Sequence, residues 1–432
     1  MLGGMNKHAL LIKLVILAVI TVLLCIVLAQ IGGLVRERQD RQSEAAQSIE
    51  QSLAGPQTLL GPVLVRNCKE TWVPYKDGTQ TRDIQVRLPP SQLQVSGGLT
   101  PEPRYRGLFK INSYAGKLVF AAQWDDLATL TPKAENTSGR VECGDVFAVF
   151  SATDPRGLRS VELKRDGQAL AVKPGAMLER FSGGLHAVLA APAPGEALKL
   201  NLALELVGTQ HLAIVPAANV TDVSLQSSWP DPSFGGRFLP AERQVGVSGF
   251  SARWRVTDLA SSAAADVVNG KAPDTLSVEL IDPVNPYVMA DRAIKYALMF
   301  VALTFVTVGL TELLSGRRVH PVQYLLVGMA ICLFFLLLLS LSEHMMFLKA
   351  YLIAASAAAV VLTQYAAAML GGWLRGLAFG GGIALMYGAL YVLLKQEQAA
   401  LVIGAVLLFA VLAVVMTLTR KLDWYRLSGA TE

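Results

Sequence analysis

The chain has 432 residues, of which 53% are hydrophobic and 16% charged, with a net charge of +5 and a mean hydropathy of +0.43. This balance argues against a soluble enzyme, and the scattered Lys and Arg residues argue against a nucleic-acid partner. The apolar excess lies in one stretch near the N-terminus and in the region between Ile294 and Leu418. We therefore expect an integral membrane protein whose first partner is the lipid bilayer.

The first hydrophobic stretch, Leu14–Ile31, is long enough to cross a bilayer, which takes about 18 or more apolar residues in a helix. It has a second interpretation as a cleavable signal peptide, with Lys7 and Lys13 as its basic start. Its core is long for a signal peptide, and Ala29–Ile31 lacks the small residues of a cleavage site. We favour an uncleaved anchor.

The polar segment that follows, Arg36–Ser52, contains no Pro or Gly and is rich in Gln, Glu, Arg and Ala. This composition predicts a continuation of the first helix beyond the membrane, ending at Gly55-Pro56. A flexible tether is the alternative interpretation.

The next part of the chain has the period-two pattern of β-strands. Five leucines, Leu198, Leu200, Leu202, Leu204 and Leu206, alternate with other residues as in a strand with one buried face. Similar segments are found at Ile84–Leu88, Lys117–Ala121, Ser160–Lys164, Gly249–Val256 and Leu276–Ile281, with turn signals at Asp77-Gly78, Asp166-Gly167 and Pro194-Gly195. We expect a β-rich domain over residues 32–290, sandwich-like or irregular, whose strand order the pattern does not specify.

Two of the four cysteines, Cys68 and Cys143, lie in this domain, and Cys25 and Cys332 lie in hydrophobic segments. A pair in an oxidising compartment favours a disulfide, whereas two buried free thiols are the alternative. Both interpretations are open from the sequence.

Polar interruptions divide the C-terminal region into five predicted spans. They run from about Ala293 to Ser315, from Tyr324 to Ser342, and over Phe347–Leu370, Leu374–Leu394 and Ala400–Leu418. We place a tight surface turn at Glu343, because charged groups within the bilayer cost several kcal/mol. The predicted fold is a membrane α+β protein with six transmembrane helices. The domains are a tail at 1–13, a helix at 14–31, the β-rich domain at 32–290, a five-helix bundle at 291–418 and a tail at 419–432.

The short connections predict the orientation. With six spans both termini share one side, which collects eight basic residues: Lys7, Lys13, Arg317, Arg318, Arg375, Arg420, Lys421 and Arg426. The opposite short loops contain Lys349 and Lys395. The positive-inside rule then places both termini in the cytoplasm and the β-rich domain outside, and Trp424 and Tyr425 suit an aromatic belt on the inner face.

Ionisable residues collect at both ends of the predicted bundle. The outer group comprises Asp291, Arg292, Lys295, Glu343, His344 and Lys349, and we expect Glu343 to pair with Arg292 or Lys295. One hypothesis is that this group couples the β-rich domain to the helices, and the other is that its members are interfacial anchors. In the inner group of Glu312, Arg317, Arg318 and His320, Glu312 belongs to a salt bridge with an arginine or to a proton path, and we favour the salt bridge.

Small residues recur every four positions in two spans. Gly372, Gly376, Gly380, Ala384 and Gly388 share one helix face, as do Ala350, Ala354 and Ala358 in the preceding span. Such stripes allow close helix approach, so we expect these two helices to pack together, with self-association as the alternative.

Several blocks of the sequence resemble the CreD family of bacterial inner-membrane proteins. They are Gly55–Gln57 with Leu59–Pro62, Ser228–Phe234, Gly249–Trp254, Asp282–Tyr287, Arg292–Tyr296, His320–Tyr324 and Leu339–His344, followed by Ala350-Tyr351. The resemblance covers nearly the whole chain. It implies a Gram-negative inner membrane, a periplasmic domain, a role in cell-envelope integrity, a link to the CreBC regulon, and an association with colicin tolerance and β-lactam response. It implies no biochemical activity.

Signatures of common enzymes are missing from the sequence, which has no phosphate-binding loop, no nucleophile elbow and no zinc-binding His-Glu-x-x-His motif. Its five histidines lack metal-ligand spacing. We expect a protein without catalysis, cofactor or metal, whose outer domain binds an envelope protein, lipid or peptidoglycan component. A transporter or lipid-handling protein, and a sensor that acts through a partner, are the alternatives.

Overall fold

The computed structural model describes residues 7–73, 78–136, 138–190, 197–283, 285–315, 319–395 and 400–420. The chain forms two compact units. The β unit is Gln42–Pro283, and the helical unit comprises the segments before and after it. The division differs from the predicted domain of 32–290 because residues 32–41 continue the first membrane helix and the second span begins early.

The described residues form seven helices and eighteen strands. The helices are α1 (Lys7–Ser52), α2 (Ala263–Val268), α3 (Pro286–Ser315), α4 (Pro321–Ser342), α5 (Phe347–Leu370), α6 (Trp373–Lys395) and α7 (Ala400–Thr419). The strands are β1 (Gln57–Trp72), β2 (Gln80–Leu88), β3 (Gln92–Pro101), β4 (Arg104–Arg106), β5 (Phe109–Ile111), β6 (Ser113–Trp124), β7 (Arg140–Ala152), β8 (Leu158–Arg165), β9 (Gln168–Leu170), β10 (Val172–Pro174), β11 (Gly184–Leu189), β12 (Leu198–Thr209), β13 (His211–Ile214), β14 (Val220–Ser227), β15 (Pro232–Gly236), β16 (Glu242–Gly246), β17 (Gly249–Thr257) and β18 (Leu276–Leu280).

Helix α1 is continuous over 46 residues, which at 1.5 Å per residue is roughly 69 Å, about twice the hydrocarbon thickness of a bilayer. Its polar second half is therefore the predicted helical extension, and the flexible-tether interpretation is wrong. At its C-terminus the carbonyl oxygens of Glu50 and Gln51 accept hydrogen bonds from the Arg156 guanidinium, at 3.2 and 2.5 Å. This contact satisfies carbonyls that have no partner within a helix end.

Within the described ranges, five helices are long and apolar enough to cross a membrane: α1, α3, α4, α5 and α6. Helix α7 contains a shorter apolar run, Val402–Thr417. The second span begins at Pro286, seven residues before the predicted Ala293, because a proline is well tolerated in the first turn of a helix. Between α4 and α5 the chain makes a short turn at Glu343–Met346, as predicted.

The β unit is a sandwich of two eight-stranded sheets. Sheet 1 has the order β10-β11-β7-β1-β13-β18-β15, with β2 paired to the second half of β1, and sheet 2 has the order β16-β17-β14-β3-β6-β12-β8-β9. Strands β4 and β5 form a separate hairpin. Five of the six segments predicted as strands lie within strands, and the sixth, Leu276–Ile281, extends one residue beyond β18.

Alternating side chains from both sheets fill the core of the sandwich. The leucines of β12 are buried, and Phe120 of sheet 2 meets Phe150 of sheet 1 edge to face, with ring centroids 5.4 Å apart. Sheet 1 is covered on its other face as well, where Leu60, Val63 and Val149 pack beside α2 residues such as Val267. Strand β1 is consequently buried on both faces in its first half, which explains its continuous apolar run.

A tight turn joins the neighbouring strands β8 and β9 in sheet 2. Asp166 and Gly167 form the two-residue turn between β8 and β9, with φ angles of 49° and 85°. Positive φ at both central residues is the requirement of a type I′ hairpin turn. The predicted turns at Asp77-Gly78 and Pro194-Gly195 include residues outside the described ranges.

Candidate functional site

An outer cluster of ionisable residues forms around Glu343, which is the C-cap of α4. The Glu343 Oε1 atom lies 3.2 Å from Nε of Arg38 in α1, and the two side chains are 9% and 39% exposed. Tyr287 at the start of α3 is hydrogen-bonded to the same carboxylate. Among the described residues no donor is aligned for a hydrogen bond to Oε1, so the Arg38 contact is an ion pair that depends mainly on charge attraction.

Of the two partners that we predicted for Glu343, Lys295 is wrong and Arg292 stays a prediction. Lys295 instead pairs with Asp291 one turn earlier on α3, at 2.7 Å, and Arg292 is partly buried beside them. His344 is exposed. Sequence reasoning missed Arg38 because it belongs to a helix remote along the chain, which only the packing of α1 brings to Glu343.

An inner cluster forms around Glu312 near the end of α3. The Nζ of Lys13 lies 2.5 and 2.7 Å from the two carboxylate oxygens of Glu312, and the Tyr324 hydroxyl donates a hydrogen bond of 3.0 Å to Oε2. Lys13 also lies 5.5 Å from the centre of the Tyr324 ring. A salt bridge is thus present, with a lysine that we had not considered. Arg317 and Arg318 lie outside the described residues, so their pairing with Glu312 stays a prediction.

His320, the fourth member of the predicted inner group, has a structural role. It is the N-cap of α4, where its Nδ1 accepts a hydrogen bond from the backbone N–H of Val322 at 3.3 Å. Its own N–H donates to the side chain of Gln323 at 2.9 Å. These two bonds form a capping box, which satisfies N–H groups at the start of the helix.

The two clusters attach both ends of one membrane segment to the bundle. Lys13 and Arg38 are separated by 25 residues of α1, or roughly 37 Å, somewhat more than a hydrocarbon core of about 30 Å. The segment Leu14–Val35 between them carries no charged residue. Both ion pairs therefore belong at interfacial depth, where they hold α1 against α3 and α4.

We expect an exchange of the outer charges to show that the pair orients α1. Either R38E or E343R alone places two like charges in contact and lowers thermal stability in detergent, because like charges repel and the side chain at position 343 is only 9% exposed to screening water. The double variant R38E/E343R recovers most of the loss. The R41E variant is the control, since Arg41 is exposed and pairs with Glu37 on the same helix. If the double variant is as unstable as the sum of the single variants, the two side chains are not coupled.

The glycine stripe of α6 makes two close contacts with α5. A Cβ atom built at Gly376 would lie 2.5 Å from Cβ of Ala367, and one at Gly380 would lie 1.8 Å from Oγ1 of Thr363. Gly372 and Gly388 have open space around them. The contact therefore uses Gly376 and Gly380 and excludes Gly372, which corrects our prediction. The alternative of self-association stays a prediction.

The predicted alanine stripe is not the counterpart of these glycines. Because α5 and α6 run antiparallel, the end of α5 faces the start of α6. The other half of α5 instead presents Tyr351, whose hydroxyl donates a 2.6 Å hydrogen bond to the carbonyl of Tyr387. Ala350 and Ala354 are buried, Ala358 only partly.

Cys68 and Cys143 form a disulfide. They are directly opposite each other on β1 and β7, with Cα atoms 4.0 Å apart. The sequence left the pairing open because a bond between these residues requires that β1 and β7 are neighbours, which is a property of the sheet. The membrane cysteines Cys25 and Cys332 are free.

A fully buried carboxylate lies near the disulfide. Glu70 of β1 accepts hydrogen bonds from the backbone N–H groups of Asn136 and Glu135, at 3.0 and 2.9 Å, and pairs with Arg82 at 3.0 Å. The bond from Asn136 is the main cause that keeps the pKa of Glu70 below its ordinary value of 4.5, against the opposing effect of burial. Sequence reasoning missed Glu70, since one glutamate in a strand carries no signal of burial.

The lowered pKa predicts an acid-sensitive contribution to stability. A carboxyl group whose pKa is lower in the folded state stabilises the fold fully above its unfolded pKa of about 4.5, and the contribution is lost as pH falls through the folded pKa. We expect melting temperature measured against pH to decline below pH 4.5, and the E70Q variant to be less stable at pH 7 with a shallower decline. The control is E142Q, an exposed carboxyl on β7. Parallel pH profiles for E70Q and the unmodified chain would contradict this account.

Within the described ranges, no three His, Cys, Asp or Glu side chains are grouped so that they could hold an ion.

Comparison with known proteins agrees with this architecture. The family model described as "Inner membrane protein CreD" matches residues 9–425. The Inner membrane protein CreD of Escherichia coli (strain K12) is 36% identical over 441 residues, covering 98% of this chain and 96% of that protein. Among solved structures, an M1 zinc metallopeptidase from Deinococcus radiodurans covers 44% of this chain and 42% of its own, at 10% identity and a TM-score of 0.24, which supports no inference. The apolar helices, the inserted β-rich region and these matches lead to one conclusion: the chain belongs to the CreD family of inner membrane proteins.

Proposed function

We propose that this protein supports cell-envelope integrity without catalysis, with its β unit in the periplasm as the part that binds an envelope component. The observation that carries the proposal is the Cys68–Cys143 disulfide, since disulfides persist in oxidising compartments such as the periplasm. The bias of Lys and Arg in the short connections favours the same orientation, with both termini in the cytoplasm.

A groove on sheet 2 is the surface that we assign to binding. Its volume is about 730 Å³. One row of paired residues crosses its floor from strand to strand: Gln244, Ser251, Gln226, Gly98 and Lys117. Amide and hydroxyl groups both donate and accept hydrogen bonds, and Lys117 at the end of the row pairs with Glu205 at 2.7 Å, so the groove suits a polar ligand with little charge. A peptidoglycan glycan strand is an envelope component of this kind.

The experiment is complementation of a bacterial strain that lacks its CreD protein, with uptake of a fluorescent hydrophobic probe as the measure of envelope permeability. We expect the strain to be more permeable and the unmodified chain to restore it. The G98R variant places a long side chain in the groove and should fail to restore it, whereas N201R, on an exposed position of the same sheet, should succeed. Unchanged permeability of the strain would overturn the integrity role, and full rescue by G98R would overturn the groove assignment.

The orientation has its own test. An alkaline phosphatase fused after residue 150 is active only if that residue is in the periplasm. A fluorescent protein that folds only in the cytosol, fused at the same position, is dark if that residue is in the periplasm. Activity of the first and darkness of the second are the expected results. The reverse would place the β unit in the cytoplasm.

A lipid-handling role is the second candidate. An apolar groove of about 470 Å³ runs between α4 and α5, lined by residues such as Phe334, Leu337, Ala354 and Val361. Its size and apolar lining suit an acyl chain. Native mass spectrometry of the purified protein should then retain one lipid, and the A354W variant should lose it.

A further inference from the structure

One hairpin of the β unit contributes little to the sandwich. Strands β3 and β6 are antiparallel neighbours up to the pair Pro101 and Tyr114, and two residues suffice to connect such strands. The chain instead makes the longer connection Glu102–Asn112, which contains β4 and β5. Residues 103–108 of this connection are all exposed. A projection that adds little to the core requires another explanation.

The composition of the hairpin is typical of a membrane surface. Residues 103–110 read Pro-Arg-Tyr-Arg-Gly-Leu-Phe-Lys, with three basic and two aromatic residues. Glu102, immediately before them, pairs with Arg104 at 3.0 Å. At the tip, Gly107 has a φ of 59° and is followed by Leu108, which is 52% exposed, and the Tyr105 side chain is 67% exposed. Aromatic rings are enriched at the lipid headgroup level, and Arg side chains extend towards the phosphates there.

The base of the hairpin is fixed to both ends of the β unit. Ile111 is buried against Ala46, Ile49 and Leu53, which belong to the last turns of α1 and the residue after it. Lys110 pairs with Asp282 at 3.2 Å. Asp282 precedes α3 by four residues, and four residues of extended chain span at most about 14 Å. The base of the hairpin is therefore attached to both ends of the β unit, which are close in sequence to the membrane helices α1 and α3.

We propose that the β4–β5 hairpin is a lipid anchor. Leu108 and Tyr105 insert at the level of the headgroups, and the guanidinium group of Arg106 contacts lipid phosphates. Transfer of the Leu108 side chain out of water is favourable, and the tether to the membrane helices already keeps the local concentration of the hairpin at the membrane high. This inference goes beyond the proposed function, because it holds whichever envelope component the β unit binds.

The test uses the full chain in nanodiscs of phosphatidylethanolamine and phosphatidylglycerol whose acyl chains are brominated near the headgroup. Bromine quenches tryptophan fluorescence at short range. The L108W variant adds a tryptophan at the tip of the hairpin, and V247W adds one at a fully exposed position in the loop between β16 and β17. Relative to the unmodified chain, we expect the L108W variant to show additional quenching of tryptophan fluorescence and a blue shift of its emission maximum. The V247W variant should show neither change.

The charges are tested in the same assay. Adding R106Q to L108W should reduce its additional quenching, and nanodiscs of phosphatidylcholine, which keep the phosphate but lack the net negative charge, should reduce it less. Equal quenching of L108W and V247W overturns the anchor. Quenching of L108W that R106Q leaves unchanged overturns the phosphate contact. Because the readout is independent of envelope permeability, failure of the anchor is distinguishable from failure of the proposed function.

Discussion

Replacing Gly380 with leucine is expected to cause the largest loss of stability in the helical unit. Even the first atom of the new side chain would lie 1.8 Å from Thr363 Oγ1 and 2.9 Å from Thr363 Cβ. Such a separation is impossible between non-bonded atoms, so α5 and α6 must move apart. Overpacking of a core costs about 1–3 kcal/mol and sometimes more, and here we expect at least the upper value. Thermal unfolding in detergent, followed by loss of monodisperse protein on size exclusion, measures it.

Two variants make this prediction specific. G388L places the same side chain on the same helix at an exposed position with open space around it, and should melt within a few degrees of the unmodified chain. G380A with T363A should be more stable than G380A alone, since removing the threonine hydroxyl relieves the nearest contact. Equal stability of G380L and G388L would disprove the close packing of α5 on α6.

The second large effect is expected in the β unit when the disulfide is removed. The bond joins residues 75 positions apart, and closing so long a loop restricts the unfolded chain. For the C68S/C143S variant we expect the free energy of unfolding of this unit to fall by about 2–5 kcal/mol. Denaturant unfolding of the full chain, with and without reductant, provides the measurement.

A matched control is available within the chain. Cys25 is a free thiol in α1, so C25S should leave the sensitivity to reductant unchanged. The unmodified protein should lose stability in reductant, and C68S/C143S should not lose more. If reductant has no effect on the unmodified chain, the disulfide does not contribute to its stability.

Local patterns predicted the elements well but not their partners. The period-two leucines of β12 and the apolar runs of α4 and α5 appear where expected. Burial of a strand or a membrane helix requires apolar side chains at regular positions of a continuous segment, so the pattern is visible in the local sequence. By contrast, Glu343 was assigned to Arg292 or Lys295 of the adjacent span, whereas the structure pairs it with Arg38. Ion pairing depends on how α1, α3 and α4 pack against each other. The distance between charged side chains on different helices is not visible in the local sequence of any one of them.

Five of the six predicted spans, the helical extension of α1 and the β-rich region followed from the sequence alone, since hydrocarbon thickness and side-chain period act on consecutive residues. The tertiary structure decided the rest. It brought Lys13 to Glu312 and Arg38 to Glu343, aligned Cys68 with Cys143, buried Glu70, and selected Gly376 and Gly380 from a longer stripe. Each of these depends on which surfaces of distant elements come into contact, and contact between remote segments is settled by packing of the whole chain.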